Sequence, residues 1–289
     1  MSHGLRFEAP TTLEYFASLV ADDDSFSLLE AAISVGHDED PRLDAQGVLA
    51  QIDELAARLT RRIPADAGPL QRLRLVNRYF FQELGFAGNV NDYYDPRNSD
   101  LAVVLRTRRG IPITLALIYI ELATQSGLVA HGVSFPGHFL VKLRMPRGEV
   151  IMDPCTGQSL AREDLDARLA PYRRSRGLVG EFEAPLGLFL QSAPPRDVMA
   201  RLLRNLKEIH RTAEDWTRVL ATQERLVILL PEAWEERRDR GLALAELGRI
   251  HEAADDLALY LEHRPAAEDA PSLRRRLAEL RRTGRPRLH

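Results

Sequence analysis

Two polar side chains set into otherwise apolar sequence have the types to do chemistry together: His138, in FPGHFLVKL, and Asp153, in IMDPCTG. His138 opens a strand-like segment, 138–143, and Asp153 closes another, 149–153, so on neighbouring strands they would sit side by side. An imidazole held by a carboxylate has its tautomer and orientation fixed, which is how such a pair serves as a general base. A base needs a nucleophile, and the sequence offers two. Thr114 lies in the first turn of the apolar helix after Pro112, but a hydroxyl gains little from a helix dipole. Cys155 follows Asp153 by two residues and so shares its face of an extended strand, without a dipole to assist it. Two plainer readings stand beside these. A buried His–Asp pair can simply fix two strands, and a lone cysteine is often a small buried hydrophobe.

The elements that must position these residues are compact. Gly110, Ile111 and Pro112 read as a turn, with proline at the first helical position where its missing N–H has no partner to lose. ITLALIYIELATQ, residues 113–125, predicts a helix enclosed on most sides, and Gly127 is its stop. Three short strands follow at 130–135, 138–143 and 149–153, separated by Pro136-Gly137 and Pro146-Arg147-Gly148. Upstream, residues 85–100 read as a long irregular connection, a length often functional in compact domains. Its residues Tyr93, Tyr94, Arg97 and Asn98, with Arg109 at the helix mouth, are candidate binding residues. Their structural alternative is that Asn98 or Ser99 caps a helix over 101–107 while the tyrosines cover the core edge.

The N-terminal part reads as helical, with capping boxes at Thr11-x-x-Glu14 and Ser27-x-x-Glu30. His37-Asp38-Glu39-Asp40-Pro41 reads as a polar loop rather than a metal site, because hard cations need ligands from a preformed loop. Val48, Ile52, Leu55, Leu59 and Ile63 mark an amphipathic helix from Asp44 to Pro64, and residues 70–84 another. After Asp153 a helix capped by Ser159 and a strand or extended segment over 181–190 are expected. Proline-rich punctuation at 192–195 then suggests a boundary, giving domains at 1–193 and 194–289. Pro231 and Pro265 stand 34 residues apart, a helical-repeat period, and Gly241, Leu244, Ala253 and Leu257 fall at repeat positions. Two repeat units fall short of the roughly three needed to stand alone, so the tail should lean on the rest of the chain. Its arginine runs alternate with acids and read as solvated surface.

The totals exclude several classes. With 45% hydrophobic and 28% charged residues the composition is that of a globular protein. A net charge of −3 gives no general attraction to nucleic acid or an anionic membrane. No leader-like start and no bilayer-length apolar run is evident, so a cytoplasmic location is expected, with no nucleic-acid or membrane partner. One cysteine excludes an internal disulfide and a Cys-based zinc site, and no metal or cofactor is expected.

NDYYDPRNSDLAVVLRTRRGIPITL, then FPGHFLVKL and IMDPCTG, resembles the bacterial proteins that join a transglutaminase-like domain to a tetratricopeptide tail, the regulator-of-invasion-B or UPF0162 family. The resemblance, spanning roughly residues 13–280, implies an α+β fold: a helix-rich papain/transglutaminase-like domain with a small antiparallel sheet, then an all-α tetratricopeptide-like tail. In the transglutaminase-like superfamily a cysteine begins the core helix, a histidine starts a following strand and an aspartate comes after. His138 and Asp153 match those positions; the cysteine position falls at about Pro112, and no cysteine occurs in 109–128. The expectation is therefore a non-catalytic domain acting in protein–protein interaction or regulation, with an unidentified protein partner on the helical repeats. The alternative is an acyl-transfer enzyme or cysteine-protease-like hydrolase using His138 and Asp153 with Cys155 or Thr114.

Overall fold

The computed structural model describes residues 10–178 and 184–283. The chain enters α1 (Thr12–Leu19) through a reciprocal cap: Glu14 N–H donates to the Thr11 hydroxyl at 3.2 Å, and Thr11 N–H donates to the Glu14 carboxylate at 2.8 Å. The second expected box does not form. At the start of α2 (Leu28–Ser34) Ser27 makes no side-chain cap, and the Glu30 carboxylate instead accepts the Gln46 amide at 2.7 Å. The polar run begun at His37 is partly a 3₁₀ turn, Val35–Asp38. Asp44 caps α3 (Ala45–Thr60) by accepting the Gly47 N–H, and the helix buries Val48, Ile52, Leu55 and Leu59 as their spacing predicts. The helix expected over 70–84 is α4 (Pro69–Asn77) followed by a wider π turn, Arg78–Glu83. That turn places Phe80 in a stack with Phe86, ring centres 4.4 Å apart, and edge-on to Tyr119.

The 85–100 connection is less irregular than its sequence suggests. β1 (Ala87–Gly88) pairs in parallel with β2 (Arg109–Gly110), and between them α5 (Leu101–Thr107) is capped by Asp100, whose carboxylate accepts the Ala102 and Val103 N–H groups. Asn98 and Ser99 are not the cap; both are buried in the preceding 3₁₀ turn. Next comes α6 (Pro112–Gln125), starting one residue earlier than read, with Pro112 in its first turn and ten of its residues buried. Inside it the Tyr119 hydroxyl donates to Asn77 at 2.6 Å, and burial pushes that phenol up in pKa. Gly127, at φ +81°, ends the helix as expected.

β3 (Val129–Val133), β4 (Leu140–Met145) and β5 (Gly148–Met152) form the antiparallel sheet in that order. The pairing is offset from the expected segments, so His138 lies in the turn before β4 and Asp153 just past β5. Helix α7 (Arg162–Ser175) starts from Ala161 rather than Ser159, which bridges back to Met152. In place of the expected strand, Leu186–Leu190 is a 3₁₀ turn; residues 181–183 lie outside the described residues. The elements from Ser27–Gly36 and Arg42–Leu202 make one compact unit.

The Asp153–Gly157 turn fixes the end of β5, and Gly157 holds it closed: its φ is +74°, and an added Cβ would lie 2.6 Å from the Phe81 ring. Gly157→Ala is expected to cost about 2–4 kcal/mol, adding backbone strain to overpacking. Gly177→Ala, at φ +66° with nothing within 4 Å of its added Cβ, carries the strain alone and should cost less. Urea unfolding of both variants measures the difference.

The second compact unit comprises the described parts of Met1–Phe26, His37–Pro41 and Leu203–His289. After α8 (Pro195–Thr212) come the antiparallel pairs α9 (Trp216–Leu229) with α10 (Trp234–Glu246), and α11 (Ile250–His263) with α12 (Ala270–Thr283). Pro231 and Pro265 each fall just past a helix end, α9 and α11, where proline cannot be asked to continue the helix. Leu244, Ala253, Leu257, Leu273, Leu277 and Leu280 share one apolar core. Helix α1 packs on α9, so the repeats are joined by a helix from the far end of the chain. No helix among the described residues is long and apolar enough to cross a membrane.

Candidate functional site

Sheet register brings the chemistry together. Continuing the β4–β5 ladder past Val141 and Met152 runs toward His138 on one side and Cys155 on the other. The Asp153 backbone anchors the turn: its N–H donates to the Gln158 carbonyl at 2.9 Å and its carbonyl accepts the Gly157 N–H at 2.8 Å. Its carboxylate, 6% exposed, then faces three groups. Oδ1 accepts the Cys155 N–H at 2.9 Å and lies 3.1 Å from His138 Nε2, while Oδ2 accepts from Arg168 Nη1 at 3.1 Å. Burial alone would raise this carboxyl, but the imidazole, the Cys155 N–H and the guanidinium outweigh it and hold the pKa at about 2. Asp153 is therefore ionised throughout the ordinary pH range.

The His138–Asp153 contact is short without being well aligned. Nε2 is buried, and Oδ1 lies too far off its in-plane N–H direction to count as a hydrogen-bond partner. The third donor is close by: a ring nitrogen of His138, a carboxylate oxygen of Asp153 and Cys155 Sγ all lie within 4.8 Å of one another. Burial pushes the Cys155 thiol up to about 12, the Asp153 carboxylate adds to the shift, and Arg168 offsets only part of it. The thiol is thus protonated at neutral pH, the opposite of an activated nucleophile. Gly88 closes one side of it, its N–H donating to the Cys155 carbonyl and its α-carbon so near that a Cβ would lie 3.1 Å from Sγ.

Thr114 is elsewhere engaged. Fully buried, its hydroxyl is within hydrogen-bond distance of the Asn98 carbonyl at 2.8 Å and the Ile111 carbonyl at 3.0 Å, and neither contact involves His138. Asn98 is a framework residue, its amide donating to the Asp92 carbonyl at 2.6 Å and accepting from Asn89 at 2.9 Å. Arg97 pairs with Asp95, and Arg109 donates to the Gly85 carbonyl at 2.7 Å. Tyr93 and Tyr94 meet edge to face on the surface, 49% and 77% exposed. Of these only Tyr93 is drawn to the site: its phenol is raised first by burial and then by Cys155.

Two residues escaped the sequence reading. Arg168 sits on α7 three residues after Leu165, so an arginine on the apolar side of that helix was the available signal. Arg201, on α8, donates to the Ser134 hydroxyl at 2.8 Å and the Phe135 carbonyl at 2.9 Å, bracing the loop that carries His138. A cleft of about 580 Å³, lined by Val150, Leu160, Leu165 and Leu186 among others, includes none of the three clustered residues.

Comparison with known proteins agrees with this architecture. The transglutaminase-like superfamily profile matches residues 46–204, and a tetratricopeptide repeat profile matches 206–278. A UPF0162 protein of Xylella fastidiosa is 37% identical over 90% of this chain and 92% of its own length. UPF0162 proteins of Pseudomonas aeruginosa (31% identical, 71% of this chain and 73% of that one) and Vibrio cholerae (26%, 93% and 97%) are also similar. Among solved structures menin overlaps at a TM-score of 0.40 with 11% identity, covering 85% of this chain and 68% of that one, too loosely to carry an argument.

Proposed function

The chain belongs to the UPF0162 family, with its transglutaminase-like and tetratricopeptide parts, and on that premise we propose that it works by binding other proteins and not by acyl transfer. The observation that carries this reading is the state of the sulfur. The core helix begins with Pro112, and the chain's one thiol instead sits beside an ionised carboxylate with its pKa pushed up to about 12. A helix N-terminus or a neighbouring cation would lower that value; burial and a carboxylate raise it. Thr114, held against two carbonyls, is no substitute. His138 and Asp153 then serve to tie the loop before β4 to the turn after β5. The helical repeats supply the partner surface, the use to which such repeats are generally put. A cytoplasmic setting and a working boundary near residue 193 are part of the same proposal.

Iodoacetamide labelling in chelator-treated buffer tests it. At pH 7 Cys155 should react at least a hundredfold more slowly than an ordinary cysteine of pKa about 8.5, with a rate that climbs only at strongly alkaline pH. Fast labelling at neutral pH that disappears in His138→Ala would instead establish an activated thiol and overturn the reading. For the binding side, proteins captured by the tagged full-length chain are compared with those captured by His138→Gln. Loss of a partner at unchanged thermal stability would extend the binding surface to this site.

A further inference from the structure

The geometry points to His138, Asp153 and Cys155 as a binding site for a zinc-class divalent ion. Nitrogen, oxygen and sulfur donors from the two sides of the β4–β5 ladder converge within 4.8 Å. Zinc bonds of about 2.0–2.3 Å place tetrahedral ligand atoms roughly 3.3–3.6 Å apart, so an edge as long as 4.8 Å needs to contract by about 1.2–1.5 Å. One edge, 3.1 Å from His138 Nε2 to Asp153 Oδ1, is already slightly inside that separation.

The misalignment at that edge is the second observation. A buried imidazole nitrogen facing a carboxylate oxygen at 3.1 Å needs a cation between them, either a proton or a metal ion. A shared proton would sit on the line joining the two atoms, and the ring N–H does not follow that line closely enough to bond. Two ligands of one ion are arranged differently: each lone pair aims at the metal, and neither aims at the other ligand. An Nε2 that is buried, close to Oδ1 and without a hydrogen bond to it meets the second half of that description.

The outer groups are in place as well. Arg168 on Oδ2 leaves Oδ1 to face the cluster and fixes the plane of the carboxylate, as outer partners of metal ligands do. Its positive charge weakens cation binding somewhat, and the anionic pair of carboxylate and thiolate outweighs it. When the ion binds, the S–H bond breaks, the S–metal bond forms, and the proton leaves to solvent. A mixed N, O, S donor set selects zinc, cobalt or ferrous iron over magnesium or calcium. Three protein ligands leave a fourth position for water or for a donor from a bound partner.

Cobalt(II) titration of the purified full-length chain, stripped with chelator and kept reduced, tests the site. One equivalent should bind, with a near-ultraviolet thiolate-to-cobalt charge-transfer band, and zinc should displace it. Cys155→Ser should abolish the band. His138→Gln should weaken binding by more than the roughly 10–100-fold that loss of an outer partner costs. Asp153→Asn should do the same, but that variant also perturbs folding, so the first two carry the test, with circular dichroism confirming that they are folded. No band in the wild-type protein, or binding that survives both substitutions, overturns the assignment. The protein-binding reading is independent of this result, because it is judged by thiol labelling and partner capture in chelator.

Discussion

Asp153→Asn is expected to destabilise the protein by about 2–3 kcal/mol at neutral pH, with the deficit shrinking to near zero as the pH approaches 2. The carboxylate is almost fully buried and is shared by His138, Arg168 and the Cys155 N–H. Its folded pKa of about 2 lies below the value near 3.9 of an unfolded aspartate. A group depressed in this way contributes its full stabilisation above the unfolded pKa and loses it as the pH falls through the folded one. A difference of nearly two pKa units is worth about 2.6 kcal/mol. Asparagine keeps the shape and part of the hydrogen bonding but has no proton to lose, so the acid limb between about pH 4 and pH 2 should flatten. Urea unfolding at pH 7, 4 and 2.5 reads the effect. A deficit that stays constant across that range would mean that the loss is one of packing and not of charge.

The parts of this site that could be read from the sequence are those governed by local rules. The apolar run after Pro112, the glycine at 127 and the Pro-Gly turn fix α6 and the sheet without knowledge of the rest of the chain. Strand ends are another matter. His138 falls outside β4 because its N–H is taken by the Phe135 carbonyl in the turn, and strand pairing, not residue type, decides where a ladder begins. Cap choice near 98–100 was ambiguous for a similar reason: Asn98, Ser99 and Asp100 are all suitable caps, and the loop claims Asn98 for the Asp92 carbonyl. At the site, the nearness of His138 and Asp153 is expected from their places at the start and end of two neighbouring strand segments, and it persists although both lie just outside β4 and β5. Arg168 could not be paired with Asp153 from the sequence, because nothing local says which turn an arginine on α7 will reach.

The environment of Cys155 shows the same division. Spacing by two predicts its thiol on the carboxylate's side of a strand; β5 ends at Met152 and Cys155 lies in the Asp153–Gly157 turn, and it is that turn which gathers the two with the imidazole. Its ionisation state depends on burial and on what packs over it, here Gly88 and the Asp153 charge, and those are tertiary facts. A cysteine near a histidine and an aspartate therefore does not by itself make a hydrolase. The sign of the local field decides, and in this protein the nearest full charge is negative.

Asp38→Ala is expected to give the larger loss, about 3–5 kcal/mol, although it lies in a segment whose sequence looks like an exposed polar loop. In the repeat-containing unit the Arg225 side chain is 2% exposed, its Nη1 donates to Asp38 Oδ2 at 2.7 Å, and its guanidinium lies 5.7 Å from the centre of the Phe16 ring on α1. Nε and Nη2 of Arg225 are buried without a hydrogen-bond partner. Removing Asp38 would leave a guanidinium in the core with no counter-charge, the costly way to break a buried pair. Burial is the largest influence on the Asp38 carboxyl and, with Glu39 adding to it, leaves the pKa raised despite Arg225, so the pair is held against a substantial desolvation cost. The consequence is specific: Asp38→Ala combined with Arg225→Met should recover most of the lost stability and approach the wild type, since a well-packed apolar side chain replaces an ion pair that only just holds. Chemical unfolding of the two single variants and the double variant measures the coupling. If the double variant were as unstable as the sum of the singles, the two side chains would be uncoupled and the reasoning from desolvation would fail.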